Sequence, residues 1–466
     1  MIRVLFMGAV DPMSADENKY PPLWPAYLAA NVDKQIGPDK IDCRFMSGRI
    51  EDALKSFRPD VLAVSSVTPN YDYAIHHARA AKQRGIPVII GGMHISSLPE
   101  TLTKDMDVGC IGEGEETFVD LMNLYLDKGV FDPQDLSGIK GLVYRKDGTL
   151  LRTPDRHVIE SIDQIPHPKR SIIGYGRRTY VYTARGCQYK CTFCICNRYW
   201  GKIRYASPQY ILEEIEELVR NGVEVIKFSD ENFIGNKERL AKIADMVISE
   251  GINKKVKFSC WARAQNVTPD VVRMLKAINV VSVKMGLESG SQRVLKAVKG
   301  NTTIEDSKRA INLLKDAGIQ ANGGFMIGFP DETKEEIMET YNFVKHSRLD
   351  FVDINTICPL PATEIWEYAE RQGLVSAQMD WTRFHYKFTH NRDRDIVLSK
   401  TLTHEQLSRL HRKFGRLSTL KTAKALIKTP WRKEIPKMAL GIMVEKIWKI
   451  GTPLKNRWIR KVHQAS

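Results

Sequence analysis

Residues 185–196 read RGCQYKCTFCIC and hold four of the chain's eight cysteines within ten positions. Thiols gathered so closely imply disulfide staples, a zinc site or an iron–sulfur cluster. The other four, Cys43, Cys110, Cys260 and Cys358, stand singly in apolar segments, as buried free thiols do in a reducing compartment. Disulfides are the weakest of the three readings, because bridges between such near neighbours would also be strained. Zinc is the serious rival, since Cys196 could complete a four-coordinate structural site. Zinc ligands usually come as two separated pairs, however, and only Ile195 lies between Cys194 and Cys196. Three thiolates at Cys187, Cys191 and Cys194 suit a four-iron cluster with one iron left free of protein. A small molecule bearing an amine and a carboxylate can chelate that iron.

The motif follows directly on a strand. From Thr179 the runs TYVYTAR, EVIKFSD, KVKFSCW, VVSVKMG, ANGGFMIG and DFVDINTI alternate with helical segments, and Ser207-Pro208 and Thr268-Pro269 read as helix starts. Six βα repeats over 179–380 predict an open or partial barrel, with chemistry at the C-terminal ends of its strands. Ahead of it, residues 1–128 alternate RVLFMGA, DVLAVSSVT, PVIIGGMH and VGCIGEG with helical patterns, which predicts a doubly wound α/β domain. Its ligand crevice would lie at the strand ends marked by Ser65, Ser66, Gly91, Gly92, Gly112 and Gly114. Ordinary turn chemistry is the competing reading of each of these positions. Residues 129–178 carry a hairpin signal at Asp147-Gly148 and read as a bridge between the two domains.

At 466 residues and 43% hydrophobic content the chain can bury two cores. The N-terminus resembles a buried strand, with no signal peptide, and no apolar run is long enough to span a bilayer, so a cytoplasmic protein is expected. The net charge of +15 is local: residues 401–466 hold sixteen Lys and Arg against three Glu, a balance of +13. Within this basic region, taken as 381–466, Leu440, Met443, Val444, Ile447 and Trp448 follow helical spacing with Lys437, Lys446 and Lys449 interleaved. That pattern fits either a helix packed on the barrel with a solvated lysine face or a peripheral membrane contact. Nucleic-acid binding is disfavoured, because no RNA-binding module is recognisable.

The loop Cys187-x-x-x-Cys191-x-Phe193-Cys194 after the first barrel strand resembles the defining motif of the radical S-adenosylmethionine (SAM) superfamily. The resemblance implies a [4Fe-4S] cluster whose open iron binds the methionyl part of SAM, and reductive cleavage of SAM to a 5′-deoxyadenosyl radical. It also implies an electron donor such as flavodoxin or ferredoxin, and leaves Cys196 without a role. By the same resemblance, Phe193 lies in the SAM-binding set. Gly286, Glu288 and Ser289 in MGLESGS correspond to the segment that contacts the ribose and amino-acid part, and Ile327 and Gly328 in GFMIGFPDET to the adenine-side loop. The frequent Gly-Gly-Glu segment is replaced by FSDENF, so the ligand of the SAM amine stays open among Ser229, Asp230 and Glu231. Arg263 could pair with the SAM carboxylate or tie barrel loops together.

A doubly wound domain ahead of such a barrel resembles the cobalamin-binding radical SAM subfamily. The phrases YPPLWPAYLAA, SSVTPNYDYA, IIGGMHISSLPE and GCIGEGEETF carry the likeness, which spans roughly residues 1–380. It implies cobalamin on Ser65, Ser66, Val67, Gly91, Gly92, Gly112, Glu113 and Gly114. The first loop, GAVDPMSADENKYPP, lacks the D-x-H-x-x-G histidine of other cobalamin domains, so the benzimidazole base is expected to be displaced with no histidine replacing it. A domain that kept the fold and lost cobalamin is the alternative. The implied activity is methyl transfer from methylcobalamin to an unactivated carbon of a small-molecule or lipid-like substrate. A cobalamin-dependent radical cyclase or oxidase is the first rival, and a zinc-stabilised RNA-binding protein the second.

Overall fold

A computed structural model describes residues 1–10, 21–385 and 395–428. The first seven strands, β1 (Ile2–Gly8), β2 (Ile41–Met46), β3 (Val61–Ser65), β4 (Val88–Gly91), β5 (Val108–Cys110), β6 (Leu142–Lys146) and β7 (Thr149–Arg152), form one sheet in the order 2-1-3-4-5-6-7. Strands β1 to β5 are parallel. Runs such as Val4–Met7 and Val61–Val64 are buried throughout, because helices cover both faces of a parallel sheet. The order reverses between β1 and β3, which puts the ligand crevice at their carboxyl ends.

Strand β2 was not among the four runs expected from sequence. It is an edge strand, and its polar Asp42 and Arg44 interrupt the apolar alternation of Ile41, Cys43 and Phe45. The hairpin turns at Asp147 (φ 50°) and Gly148 (φ 80°), the two left-handed residues that a type I′ turn requires. Strand β6 pairs antiparallel with β5, so the hairpin extends the N-terminal sheet.

The second half contains β8 (Arg178–Val181), β9 (Ala184–Arg185), β10 (Arg204–Tyr205), β11 (Val225–Phe228), β12 (Lys257–Ala262), β13 (Val280–Glu288), β14 (Gln320–Ile327) and β15 (Phe351–Thr356). Strands β8 and β11 to β15 make a six-stranded parallel sheet in sequential order, a partial (β/α)6 barrel with β8 and β15 as its edges. Ser207 Oγ and Thr268 Oγ1 cap the helices Pro208–Arg220 and Pro269–Ala277, as the Ser-Pro and Thr-Pro pairs predict. Alternate strand residues, among them Ile226, Phe228, Phe258, Cys260, Val283 and Phe325, are buried in the core beneath the helices. Their neighbours Lys227, Ser229, Trp261, Ser282 and Lys284 therefore line the concave side.

Past residue 380 the βα rhythm stops, but the chain is still building the barrel. Helix His404–Lys428 lies along β15, with Ser418 Oγ donating to Val352 O (2.6 Å) and Leu407, Leu410 and Phe414 in the barrel core. The amphipathic pattern at Leu440–Trp448 lies outside the described residues.

The bridge is anchored by one buried ion pair: Arg170 donates to Glu214 on the first barrel helix, to Thr179 Oγ1 (3.0 Å) and to Tyr180 O (2.9 Å). Both charged side chains are almost wholly buried, at 0% and 2% exposed. Arg170→Met strands the Glu214 carboxylate and is expected to cost about 3–5 kcal/mol, read from the urea midpoint. Adding Glu214→Leu should recover much of that loss.

Candidate functional site

The cysteine loop leaves the first barrel strand through a braced turn. Asp230, at the end of β11, accepts from Thr183 N (2.6 Å), Ala184 N (3.1 Å) and the Thr183 hydroxyl, while Arg239 donates to Thr183 O (2.6 Å). Gly186 follows with φ 95°, and a Cβ there would lie 2.9 Å from Lys202 O, so only glycine passes. Beyond it, Cys187, Cys191 and Cys194 are half-buried, whereas Cys196 and the four scattered cysteines are buried. Burial raises the Cys187 thiol and pushes Cys194 up to about 11, and each is raised further by the charge of its motif neighbours. The three sulfurs thus share one neighbourhood, and Arg263 Nη1 lies 3.4 Å from Cys191 Sγ. Three half-buried thiols in one short loop, one of them beside a guanidinium, fit the donor set of a cluster with three protein ligands. Phe193 packs toward Phe329, with ring centres 6.4 Å apart.

Around this loop the strand ends divide the expected SAM residues into two groups. Ser229 and Glu231 lie just past the end of β11, and Glu231 is exposed at the strand ends though ringed by protein. Burial pushes its carboxyl up to about 7, with Asp230 adding to the rise. Glu288 takes a left-handed φ of 61° where the register of β13 against β14 slips, a conformation costing about 1–3 kcal/mol that is typical of functional sites. Its carboxylate folds back over Gly286, where a Cβ would collide with it, and pairs with Lys299 Nζ at 3.2 Å. Gly328 (φ 90°) gives its N–H to the buried Glu332 at 2.7 Å.

The other group is held by the fold itself. Asp230 faces the core and braces the turn already described. Ser289 is buried against Thr340 Oγ1 (3.1 Å) and Ser291 N (3.1 Å), and the Ile327 side chain is in the core. Arg263 directs its fork at Lys299 O (2.6 Å), Thr302 Oγ1 (2.5 Å) and Gln265 Oε1 (2.8 Å). It ties the third barrel strand to the helix that carries Lys299, in line with the loop-tying alternative.

The carboxyl edge of the N-terminal sheet meets this loop. Tyr199, just past the cysteines, donates to Gly112 O (2.9 Å), and Gly112 N donates to Ser96 Oγ (3.0 Å). Arg185, two residues before Cys187, pairs with Glu113 of the loop after β5 and with Glu115, which opens the helix that follows. Arg204 Nη1 reaches the other Glu113 oxygen at 2.8 Å, which also accepts from Ile159 N (2.8 Å). The three acid and base side chains meeting at Glu113 are 3–11% exposed. Glu113, expected on cobalamin, is thus engaged between the domains. Sequence reading missed Arg185, Arg204 and Glu115, although Arg185 opens the cysteine motif and the acids sit in GEGEE.

At the same edge, Ser66 Oγ is buried with no partner among the described residues, Val67 is 43% exposed, and the space beside Gly112 is open to 4 Å. A free hydroxyl, an exposed apolar side chain and an open glycine fit a large ligand that is part amide and part hydrocarbon. Gly92 (φ 99°) approaches the protein's own backbone, since a Cβ there would lie 2.5 Å from Ser66 O, and Gly91 and Gly114 meet only Cys110 Cβ (3.9 Å) and Leu28 Cδ2 (3.5 Å). Ser65 Oγ also packs against Gly92. Most of the first loop, where the missing histidine would stand, lies outside the described residues.

Comparison with known proteins agrees with both halves. The Radical SAM superfamily model matches residues 181–344 and the B12 binding domain model residues 13–122. An uncharacterized methyltransferase of Pyrococcus horikoshii is 31% identical over 415 residues, covering 84% of this chain and 86% of that protein. The chain therefore belongs to the radical SAM superfamily, among its members with a B12 binding domain. It is an enzyme whose cofactors are a [4Fe-4S] cluster, SAM and cobalamin. An anaerobic magnesium-protoporphyrin IX monomethyl ester cyclase of Cereibacter sphaeroides is 26% identical over 438 residues, covering 89% of this chain and 69% of that one. The solved structure of the cobalamin-dependent SAM radical enzyme OxsB, with aqua-cobalamin and SAM bound, shares the fold (TM-score 0.71, 19% identity, 96% of this chain and 72% of that one). The zinc-stabilised RNA-binding alternative has no place in this family.

Replacing Cys187, Cys191 or Cys194 singly with Ala should take anaerobically reconstituted protein from about four irons per chain to a small fraction of that, whereas Cys196→Ala keeps its iron. Arg185→Met removes one arm of the interdomain network. It is expected to lower stability by about 3–5 kcal/mol and to release cobalamin on gel filtration while iron content is kept.

Proposed function

We propose that this enzyme is a C-methyltransferase acting at an unactivated carbon of a small-molecule or lipid-like substrate. The observation that carries the reading is the meeting of the two cofactor edges: the segment that carries Cys187, Cys191 and Cys194 is joined to the carboxyl end of β5 through Arg185 with Glu113 and Glu115 and through Tyr199 with Gly112. When bound, the cluster with SAM supplies a carbon-centred radical and cobalamin supplies a methyl group, a pairing suited to carbons with no acidic proton.

The chain's own residues hold and orient these groups. The three cysteines ligate the cluster, and Arg263 keeps a positive charge beside Cys191. Ser229 or Glu231 receives the SAM amine, and Glu288, pinned by Lys299, receives the ribose hydroxyls. Gly286 leaves room for that carboxylate, and the Gly328 backbone borders the adenine. Ser66 and Val67, with the open space at Gly112, seat cobalamin. An electron donor of the flavodoxin or ferredoxin type reduces the cluster. No helix among the described residues is long and apolar enough to cross a membrane, and a cytoplasmic location fits, with any membrane contact made through the basic C-terminal region.

The similarity to a cyclase across 89% of this chain favours one second reading, a radical cyclase or oxidase built from the same parts. The holoenzyme, given methyl-deuterated SAM, a reductant and an extract of the cells that make it, separates the two. Methyl transfer predicts a deuterated product with S-adenosylhomocysteine formed alongside 5′-deoxyadenosine. An unlabelled product with 5′-deoxyadenosine alone would establish the cyclase.

A further inference from the structure

The concave wall of the barrel holds a charged group that none of the roles above uses. Lys227 stands on β11 between the buried Ile226 and Phe228, so alternation turns it to the concave side, and the strand ends two residues short of Asp230. Its ammonium lies 4.8 Å from the centre of the Trp261 ring on β12, and the Lys284 ammonium from β13 lies 4.7 Å from the same ring. Lys284 is also paired with Asp353 on β15 at 2.5 Å. Among the described residues no carboxylate pairs with Lys227, and its electrostatic neighbour is a second cation. Burial, and then the charge of Lys284, push its ammonium down to about 8.

Two ammonium groups against one indole, with Asp353 beyond Lys284 as the one carboxylate paired to either, leave this wall with a net positive charge in a partly desolvated place. Like charges so held repel, and the indole face repays only part of the cost of burial. An anion within reach of the ammoniums at the indole would reverse that balance. Polar groups lie close by. Asn322, opposite Lys284 on β14, donates its Nδ2 to Ser282 Oγ on Lys284's own strand at 2.8 Å, and Tyr180 lies opposite Lys227 across the β8–β11 pairing. The flat ring beneath adds a platform for a planar or extended group.

We propose that Lys227, Lys284 and the face of Trp261 form a subsite for an anionic group of the substrate, a carboxylate or a phosphate, held in the barrel below the residues that take SAM. The inference rests on the reading of the barrel mouth as the radical site and adds the substrate's chemical class. A substrate tethered by its anion at this depth presents a carbon farther along its length to the mouth, near Ser229 and Glu231.

Competitive acetylation of the holoenzyme across a pH series, read lysine by lysine by mass spectrometry, tests it with inorganic phosphate and acetate as probes. Millimolar phosphate or acetate is expected to slow the labelling of Lys227 by about fivefold or more and to move its titration to higher pH, with exposed lysines unchanged. Protection by phosphate alone marks a phosphate-bearing substrate, and protection by acetate a carboxylate. In Lys284→Met, Lys227 should titrate at higher pH and its protection by either anion should weaken, which a lysine merely packed on the indole would not show. Equal labelling with and without both anions would overturn the proposal. Protection by SAM alone would overturn it too, by assigning the subsite to the SAM carboxylate. If the unmodified holoenzyme, reduced with dithionite, forms no 5′-deoxyadenosine, the radical reading fails while the anion result stands on its own.

Discussion

The contact between Arg185 and the two carboxylates after β5 is the constraint on which the two-cofactor site depends. Arg185 leaves the chain two residues before the first cysteine, and Glu113 sits at the carboxyl edge of the other domain. Burial alone would raise the Glu113 carboxyl, but Arg185 and Arg204 overcome it and hold the group below its ordinary value. Arg185 is held from further directions by the rings of Tyr27 (5.7 Å) and Trp200 (5.3 Å). Buried ion pairs add little net stability, because desolvation consumes most of their Coulomb energy. Their worth here is positional, since charges removed from water tolerate few geometries, and the loop bearing the cysteines is thereby held to one place on the sheet edge.

A second seam, apolar, backs this one. Tyr71, Ile95 and Leu98 of the N-terminal domain share a core with Val294, Val298, Phe329, Trp366 and Trp381 from the barrel half. His94 stacks on Tyr71 (3.7 Å between ring centres) and meets the edge of Trp381 (4.6 Å), with its nitrogens on Thr68 and Thr101 hydroxyls. Burial lowers its imidazole to about 3, so it stays neutral and packs as an aromatic ring. A charged seam beside the cysteines and an apolar one behind them leave the two domains no easy hinge, which suits a reaction whose two cofactors must face one substrate.

Within the barrel a chain of contacts runs from the cysteines to the strand ends: Cys191 to Arg263, Arg263 to the Lys299 carbonyl, and Lys299 to Glu288 and Gly286. The motif segments were therefore legible as places. Cys187, Cys191 and Cys194 emerge together, and Glu288 and Gly286 act on each other. Individual roles were less legible. Asp230 and Glu231 are adjacent in sequence, but hydrogen bonds from Thr183 and Ala184 hold Asp230 in the interior while Glu231 stays exposed, and FSDENF carries no sign of which is which. Arg263 stands at a strand end as expected, yet two of its partners, Lys299 O and Thr302 Oγ1, lie at and just past a helix terminus more than thirty residues away.

What the sequence alone determined is local. The spacing of three cysteines, the six strand runs that alternate with helical segments, the Ser-Pro and Thr-Pro helix starts and the Asp-Gly turn each act over short stretches of chain, so composition and order suffice to read them. The edge strand β2 and the helix on β15 escaped, because half-buried elements carry weaker apolar patterns. The tertiary structure alone decided which charges meet. Arg185 and Glu113 are 72 residues apart, and Lys227, Trp261, Lys284 and Asp353 come from four different strands. Each of these groups could equally have faced water. Only closure of the barrel and its docking on the sheet edge removed that alternative and set their partners.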